Sequence, residues 1–233
     1  MEKEIAIIMA AGLGERMWPL TKTIPKPLIK IGDMVLIETI ITALLIRKIL
    51  KIYIVVGYMK DQFGYLRRKY REVELIENPE YMRKNNISSM AAVGEILGSA
   101  DCFVCEADLF VKNQNVLNKV KGKSGYFGKL VSGYSDDWIF ETEGGRITSI
   151  HKGGTDCYNM VGISYWKKED AAVIRNVIKQ SYMKPGHENM FWDEAVDKVT
   201  NRIHPVVIEV GNEEIFEIDT VEEYMALEED IMQ

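Results

Sequence analysis

Ile5-Ala6-Ile7-Ile8-Met9-Ala10-Ala11-Gly12-Leu13-Gly14-Glu15-Arg16 leads into Pro19-Leu20-Thr21 and then Pro25-Lys26-Pro27-Leu28. The apolar run Ile5–Ala10 reads as a buried strand that ends in glycines. Such a turn exposes backbone N–H groups able to wrap an anionic phosphate chain, because glycine lets the backbone approach closely. Two commoner glycine loops are excluded. Gly12 and Gly14 are followed by Arg16 and the third glycine of the dinucleotide fingerprint is missing, and no Gly-Lys-Ser/Thr follows for a P-loop. Pro19, Pro25 and Pro27 oppose a helix starting directly at the loop. What remains is a phosphate cradle followed by an extended arm that carries two cations, Arg16 and Lys26.

Outward from this loop, strand and helix signals alternate. Leu36–Ile49 is an apolar-rich helix, and Lys51–Val56 is a second strand ending at Gly57. Gln62–Tyr70 is a basic amphipathic helix with a solvated face. Glu74–Glu77 is a third strand broken by Asn78-Pro79, Ser88–Leu97 is helical, and Asp101–Glu106 is another buried strand. The alternation predicts an α/β fold built on a doubly wound, mostly parallel, Rossmann-like sheet. After residue 122 the pattern changes to short strands, Tyr126–Val131, Trp138–Thr142, Arg146–Ile150 and Met160–Tyr165, separated by Gly/Asp turns. This predicts a small β-rich lobe inserted over the sheet. Helices at Glu169–Tyr182 and Met190–Thr200 follow, then a strand at His204–Glu209. Thr220-Val221-Glu222-Glu223 is a capping box that starts a last helix. The chain is expected to form a single unit over 1–233, with a core of about 1–122 and 200–233 and an acceptor-binding lobe of about 123–199.

Composition narrows the function. The chain has 233 residues, 47% of them hydrophobic and 27% charged, as in an ordinary globular protein. Its net charge of −6 argues against nonspecific nucleic-acid binding, which needs a basic face. No apolar stretch approaches the roughly 20 residues of a bilayer span, and Ile5–Leu13 is too short and glycine-interrupted for a secretory signal. Three cysteines, Cys102, Cys105 and Cys157, form no disulfide framework, and a cytoplasmic location is expected. Cys102 and Cys105 have C-x-x-C spacing but lie in a strand-like run, as small buried hydrophobes do. An acidic chain that handles anions needs local cations and a divalent metal to reverse the field at its site. Asp108 ends a core strand, at the edge where open α/β sheets bind ligands. Asp219 precedes the final helix. Two such carboxylates suit Mg²⁺, which takes one or two of them together with phosphate oxygens and waters.

With these residues in place, the chain resembles the bacterial CTP:phosphocholine cytidylyltransferases, in the wider family that includes the glucose-1-phosphate nucleotidyltransferases. The carriers are Ala10–Arg16, Pro19–Thr21, Pro25–Leu28, Val56-Gly57-Tyr58, Asn85–Ser89, Glu106-Ala107-Asp108, Phe191-Trp192-Asp193 and Glu217–Thr220, spread over nearly the whole chain. The resemblance implies a core of the nucleotide-diphospho-sugar transferase type, Mg²⁺ dependence, and transfer of CMP from CTP to phosphocholine with release of pyrophosphate. It further implies Arg16 and Lys26 as catalytic cations and Asp108 and Asp219 as metal ligands. Ala10, Ala11, Gly12, Gly14, Asn86, Ser88, Ser89 and Glu106 would contact the nucleotide.

A quaternary ammonium donates no hydrogen bond, so proteins hold it with aromatic faces and carboxylates. By resemblance the acceptor contacts are Trp138, Tyr182, Trp192 and Glu217, with Phe191 next; Asp136, Asp137 and Asp193 are acids near them in sequence. Lys129 and Lys152 are candidates for the acceptor phosphate, with Lys152 favoured because glycines follow it. No acid precedes Trp192 at Asn189, which would suit phosphoethanolamine or 2-aminoethylphosphonate as the acceptor. A sugar-1-phosphate enzyme using UTP or dTTP, and a non-catalytic nucleotide sensor, are the competing readings.

Overall fold

The computed structural model describes residues 4–232. In chain order the elements are β1 (Ile5–Ala10), β2 (Lys30–Ile31), β3 (Met34–Val35), α1 (Leu36–Ile46), β4 (Ile52–Val56), α2 (Gly64–Lys69), β5 (Val73–Glu77), α3 (Ile87–Val93), β6 (Cys102–Glu106) and β7 (Leu109–Val111). The second half holds β8 (Gly125–Glu143), β9 (Arg146–Trp166), α4 (Lys168–Tyr182), α5 (Trp192–Asp197), α6 (Thr200–Ile203), β10 (Val206–Glu209), β11 (Ile215–Glu217) and α7 (Val221–Met232). The prolines act as expected: residues 15–28 form three short 3₁₀ turns in place of a helix.

The main sheet runs β10-β8-β9-β6-β1-β4-β5. Strands β5, β4, β1 and β6 are mutually parallel, β9 pairs antiparallel with β6, and β10 is parallel to β8. The α/β class and mostly parallel sheet expected from sequence are present. Strand period sorts the side chains onto two cores. Ala6, Ile8, Ala10, Ile52, Ile54, Phe103 and Cys105 pack on one face with α1 and the Phe63–Leu66 turn. Ile5, Ile7, Val55, Cys102 and Val104 pack on the other with α3, α4 and α5. Cys102 and Cys105 thus point to opposite faces, and burial pushes both thiols up. A third cluster, Met17, Ile31, Leu36, Phe110, Ile218 and Leu227, fastens α7 to the loop region.

The stretch expected as four short strands is two long ones. The hairpin β8–β9 is continuous but bulged, with register shifts at Val131/Tyr134 and Ser135/Trp138. The Gly and Asp residues read as turns are those bulges, which bend a strand without ending it. Bending is strong enough that Ile139 pairs with both His151 and Asn159, and Phe140 with both Ile150 and Tyr158. The hairpin therefore folds back on itself, its base in the main sheet and its bulges over the sheet edge. Other boundaries differ by local chemistry. Helix α1 stops at Ile46 because Lys48 adopts a left-handed φ of 69° and Ile49 N closes on Leu44 O at 3.0 Å. The Ser88–Leu97 helix starts one residue earlier and breaks at Gly94, and Met190–Thr200 is split into α5 and α6. No helix among the described residues is long and apolar enough to cross a membrane.

Candidate active site

Between β1 and β6 the strand order reverses, since the chain leaves β1 for β4 and β5 on one side and returns to β6 on the other. Crevices at such switch points bind ligands in open α/β sheets. Here a cleft of about 780 Å³ opens over the ends of β1 and β6 and under the hairpin. Its wall includes Ala10 to Arg16, Lys26, Asn86, Ser88, Ser89, Glu106, Asp108, Trp138, Lys152, Phe191, Glu217 and Asp219. Most of the residues singled out from sequence therefore share one space, although they span two hundred positions of chain.

The glycine loop is pinned from outside the cleft. Gly14 sits at φ 66°, a left-handed backbone, and its carbonyl accepts Thr21 Oγ1 at 2.7 Å. Tyr58 N donates to Ala11 O at 3.1 Å and Tyr58 Oη to Thr21 O at 3.0 Å. A Cβ on Gly12 would meet nothing within 4 Å, so its backbone faces open space.

Two distant segments are brought together by a small ladder. Strand β11 pairs antiparallel with β7, Glu217 opposite Leu109, and Ile218 N donates to Asp108 O at 3.1 Å. The Thr220/Glu223 capping box closes below, with Glu223 Oε2 accepting Asp219 N at 2.7 Å and Thr220 N at 2.9 Å. Asp108 and Asp219 consequently flank Lys26. Lys26 Nζ lies 2.8 Å from Asp108 Oδ2 and 2.7 Å from Asp219 Oδ1, while Arg16 Nη1 is 2.7 Å from Asp219 Oδ2. Burial alone would depress the Lys26 ammonium, but the two carboxylates outweigh it and raise its pKa. Burial likewise opposes ionisation of Asp219, and Lys26 and Arg16 reverse that and hold its carboxyl below the usual range.

Carboxylate oxygens of Glu106, Asp108 and Glu217 all lie within 4.8 Å of one another. Asp108 Oδ1 is buried with no hydrogen-bond partner. An orphaned carboxylate oxygen among hard oxygen donors fits a divalent cation such as Mg²⁺. Burial and the neighbouring Asp108 push the Glu217 carboxyl up to about 8, and burial with Asp108, Glu217 and Asp193 drives Glu106 well above its ordinary value. Glu106 and Glu217, expected as nucleotide and acceptor contacts, are thus closer to Asp108 in kind than the sequence indicated. Asp219 instead has both oxygens occupied by Lys26 and Arg16.

On the nucleotide side, sequence reasoning missed Asn78. Its buried Nδ2 donates to Ser88 Oγ at 2.9 Å and Ser89 Oγ at 3.2 Å, and Ser88 Oγ in turn donates to Asn85 O at 2.7 Å. Tyr81 and Lys84 also line the wall. Asn78 had been visible only as a strand breaker before Pro79. Asn86 lines the cleft and also caps the acceptor side, its Oδ1 accepting Trp192 N at 2.8 Å.

The aromatic residues divide. Trp138 and Phe191 meet edge to face at 5.3 Å between centroids and line the cleft. Trp192 does not reach it: only 2% exposed, it packs in the core against Trp166 and Tyr126. Tyr182 is also displaced from the cleft. Its hydroxyl donates to Glu80 and accepts Lys84 Nζ at 3.1 Å, and the Lys84 ammonium stands 4.2 Å over its ring. Asp193 is buried beneath, accepting Tyr126 Oη at 2.9 Å. Asp136 and Asp137 do line the cleft, and Asn159 Nδ2 holds Asp137 at 3.0 Å. Lys129 turns away, donating to the carbonyls of Asn212 and Ile215, whereas Lys152 lines the cleft with its ammonium near both rings.

Residues 5–124 match the nucleotidyl transferase family model. A 2-aminoethylphosphonate cytidylyltransferase of Lancefieldella rimae is 43% identical over 97% of this chain and 93% of its own length. A choline-phosphate cytidylyltransferase of Streptococcus pneumoniae is 32% identical over 96% of each chain. The solved CTP:phosphocholine cytidylyltransferase of that organism superposes with a TM-score of 0.91, at 32% identity over 98% of this chain and 99% of that one. The chain belongs to the nucleotidyl transferase family and is a nucleotidyltransferase.

Proposed function

We propose that the protein is a magnesium-dependent cytidylyltransferase that moves CMP from CTP onto 2-aminoethylphosphonate, releasing pyrophosphate. The observation that carries the acceptor is the make-up of the cleft. It offers Asp136 and Asp137 as hydrogen-bond acceptors, while two of the four aromatics of the expected choline cage, Trp192 and Tyr182, are committed elsewhere. A primary ammonium donates three hydrogen bonds, which carboxylates accept; a trimethylammonium donates none and needs aromatic faces as well. The 43% identity to a 2-aminoethylphosphonate enzyme points the same way. Phosphocholine is the second reading, supported by the Trp138–Phe191 pair that does face the cleft.

The reaction joins two anions, so positioning and charge neutralisation carry it. A phosphonate oxygen attacks the α-phosphorus of CTP in line; the new P–O bond forms as the bond to the β-phosphate oxygen breaks. The attacking oxygen is already ionised, and no general base is needed. Backbone N–H groups of Gly12–Gly14 cradle the triphosphate, Arg16 meets the leaving pyrophosphate, and Lys26 neutralises charge at the α-phosphate. Ser88 and Ser89, held by Asn78, and Asn86 form the wall beside the nucleoside. Asp108, with Glu106 and Glu217 beside it, would hold Mg²⁺, which supplies charge neutralisation for the phosphates when bound, while Asp219 positions Lys26 and Arg16.

The test is pyrophosphate release with Mg²⁺, crossing CTP, UTP, dTTP and ATP with 2-aminoethylphosphonate, phosphoethanolamine, phosphocholine and glucose-1-phosphate. The highest kcat/KM is expected for CTP with 2-aminoethylphosphonate. Turnover confined to phosphocholine would reverse the acceptor assignment, and turnover only with a sugar phosphate would refute cytidylyl transfer to an aminoalkyl group.

A further inference from the structure

We propose that Lys152 sets how many N-methyl groups the acceptor can carry, by occupying the aromatic face that a trimethylammonium would need. This rests on the aminoalkyl reading above. Lys152 lies opposite Trp138 in the folded-back hairpin. Its Nζ stands 5.7 Å from the Trp138 ring centroid and 5.6 Å from that of Phe191, within cation–π range of both. Among the described residues no carboxylate or carbonyl accepts a hydrogen bond from it, although Asp136 and Asp137 are on the same wall. The protein's own ammonium therefore stands against both cleft-facing rings, about equally far from each.

A primary ammonium carries the same charge but does not need the rings, because Asp136 and Asp137 can take its hydrogen bonds without them. A trimethylammonium has no N–H to offer and must lie against aromatic faces. It meets a like charge already there, and like charges at such short range repel strongly in a partly desolvated cleft. The other two aromatics of the expected cage give no relief, since Trp192 is in the core and Tyr182 carries Lys84 on its face. Lys152 thus discriminates by charge occupancy, an element directed against the methylated competitor.

Phosphoethanolamine and phosphocholine share one phosphate and differ only in N-methylation, so their ratio isolates the headgroup. Lys152→Ala is expected to raise the phosphocholine to phosphoethanolamine ratio of kcat/KM at least tenfold, and Lys152→Met, which keeps the apolar stem, to do the same. Lys152→Arg retains the charge and the wild-type ratio. An unmoved ratio in both neutral variants overturns the proposal. So does an equal loss of both acceptors, which would mark Lys152 as a ligand of the shared phosphate. Calorimetric titration with phosphocholine reads the same point without turnover: both neutral variants should bind it at least tenfold more tightly than wild type. If CTP supports no acceptor at all, the cytidylyl reading fails while this titration still judges Lys152, and unchanged affinity there overturns its role.

Discussion

Asp193 is the residue whose substitution has the most calculable effect. Burial pushes its carboxyl from 3.8 up to about 7, against the opposing hydrogen bond from Tyr126. At 1.36 kcal/mol per pKa step, carrying the ionised group into the folded state costs about 4 kcal/mol. The sign follows from linkage. Below the unfolded pKa the carboxyl is protonated in both states and exacts no penalty. As pH rises from about 4 to about 7 the unfolded chain ionises first, and stability is lost until the folded carboxyl also ionises. Asp193→Asn removes the titration while its amide oxygen still accepts Tyr126 Oη. A neutral acceptor is weaker than a charged one by about 1 kcal/mol, which leaves a net gain of about 3 kcal/mol above the folded pKa. For a chain of this size that is about 6–12 °C in Tm. Urea or thermal unfolding of both proteins at about pH 4.5 and about pH 8 should show the wild type falling more steeply than the variant, in which the carboxyls of Glu106 and Glu217 still titrate with raised pKa values. Parallel pH slopes, or a variant less stable than wild type at the higher pH, would refute the argument that Asp193 is buried with an ionisation penalty.

Asp108→Asn removes the orphaned oxygen's charge, and Asp219→Ala frees Arg16 and Lys26 from their carboxylate; each should lower Mg²⁺-dependent turnover by about 10²-fold or more with the unfolding transition intact. Near wild-type rates in either variant would remove that residue from the catalytic centre. Gly57→Ala would place a Cβ 2.6 Å from Tyr81 Cγ and 2.9 Å from Ala11 O, displacing the nucleotide wall. Its KM for CTP should rise about tenfold with a stability loss of about 1–3 kcal/mol, both measured against the wild type.

Much of this was legible in sequence because it depends on local rules. The runs Ile5–Ala10, Lys51–Val56 and Asp101–Glu106 are near-continuous apolar strands, as in a parallel sheet covered on both faces. Glycines and prolines after the first of them mark a loop that cannot continue as a helix. Asp108 and Asp219 stand at element ends, where the cleft indeed forms. What sequence could not convey is direction over long separations. Lys26 meets its carboxylate partners 82 and 193 residues away. Trp192 and Phe191 are neighbours in sequence, yet one enters the core and the other the cleft; residue type is silent about that choice. Gly133 and Gly153 carry left-handed φ values of 83° and 80° that look like turn signals, but in a bulged hairpin they serve to bend a continuing strand.

The folded-back hairpin has an evolutionary corollary. The residues assigned above to the phosphates and the metal lie in the turns that follow β1 and at the ends of β6 and β11, outside the hairpin. Asp136, Asp137, Trp138 and Lys152 all belong to one antiparallel hairpin whose bulges already tolerate irregular register. Acceptor preference can therefore drift by exchange of a short contiguous cassette, roughly residues 133 to 154, without rewriting the nucleotide machinery. A lineage that needs a new headgroup on the same CMP carrier has a place to vary that leaves the engine untouched, and transplanting that cassette between relatives is the natural route to altered acceptor range.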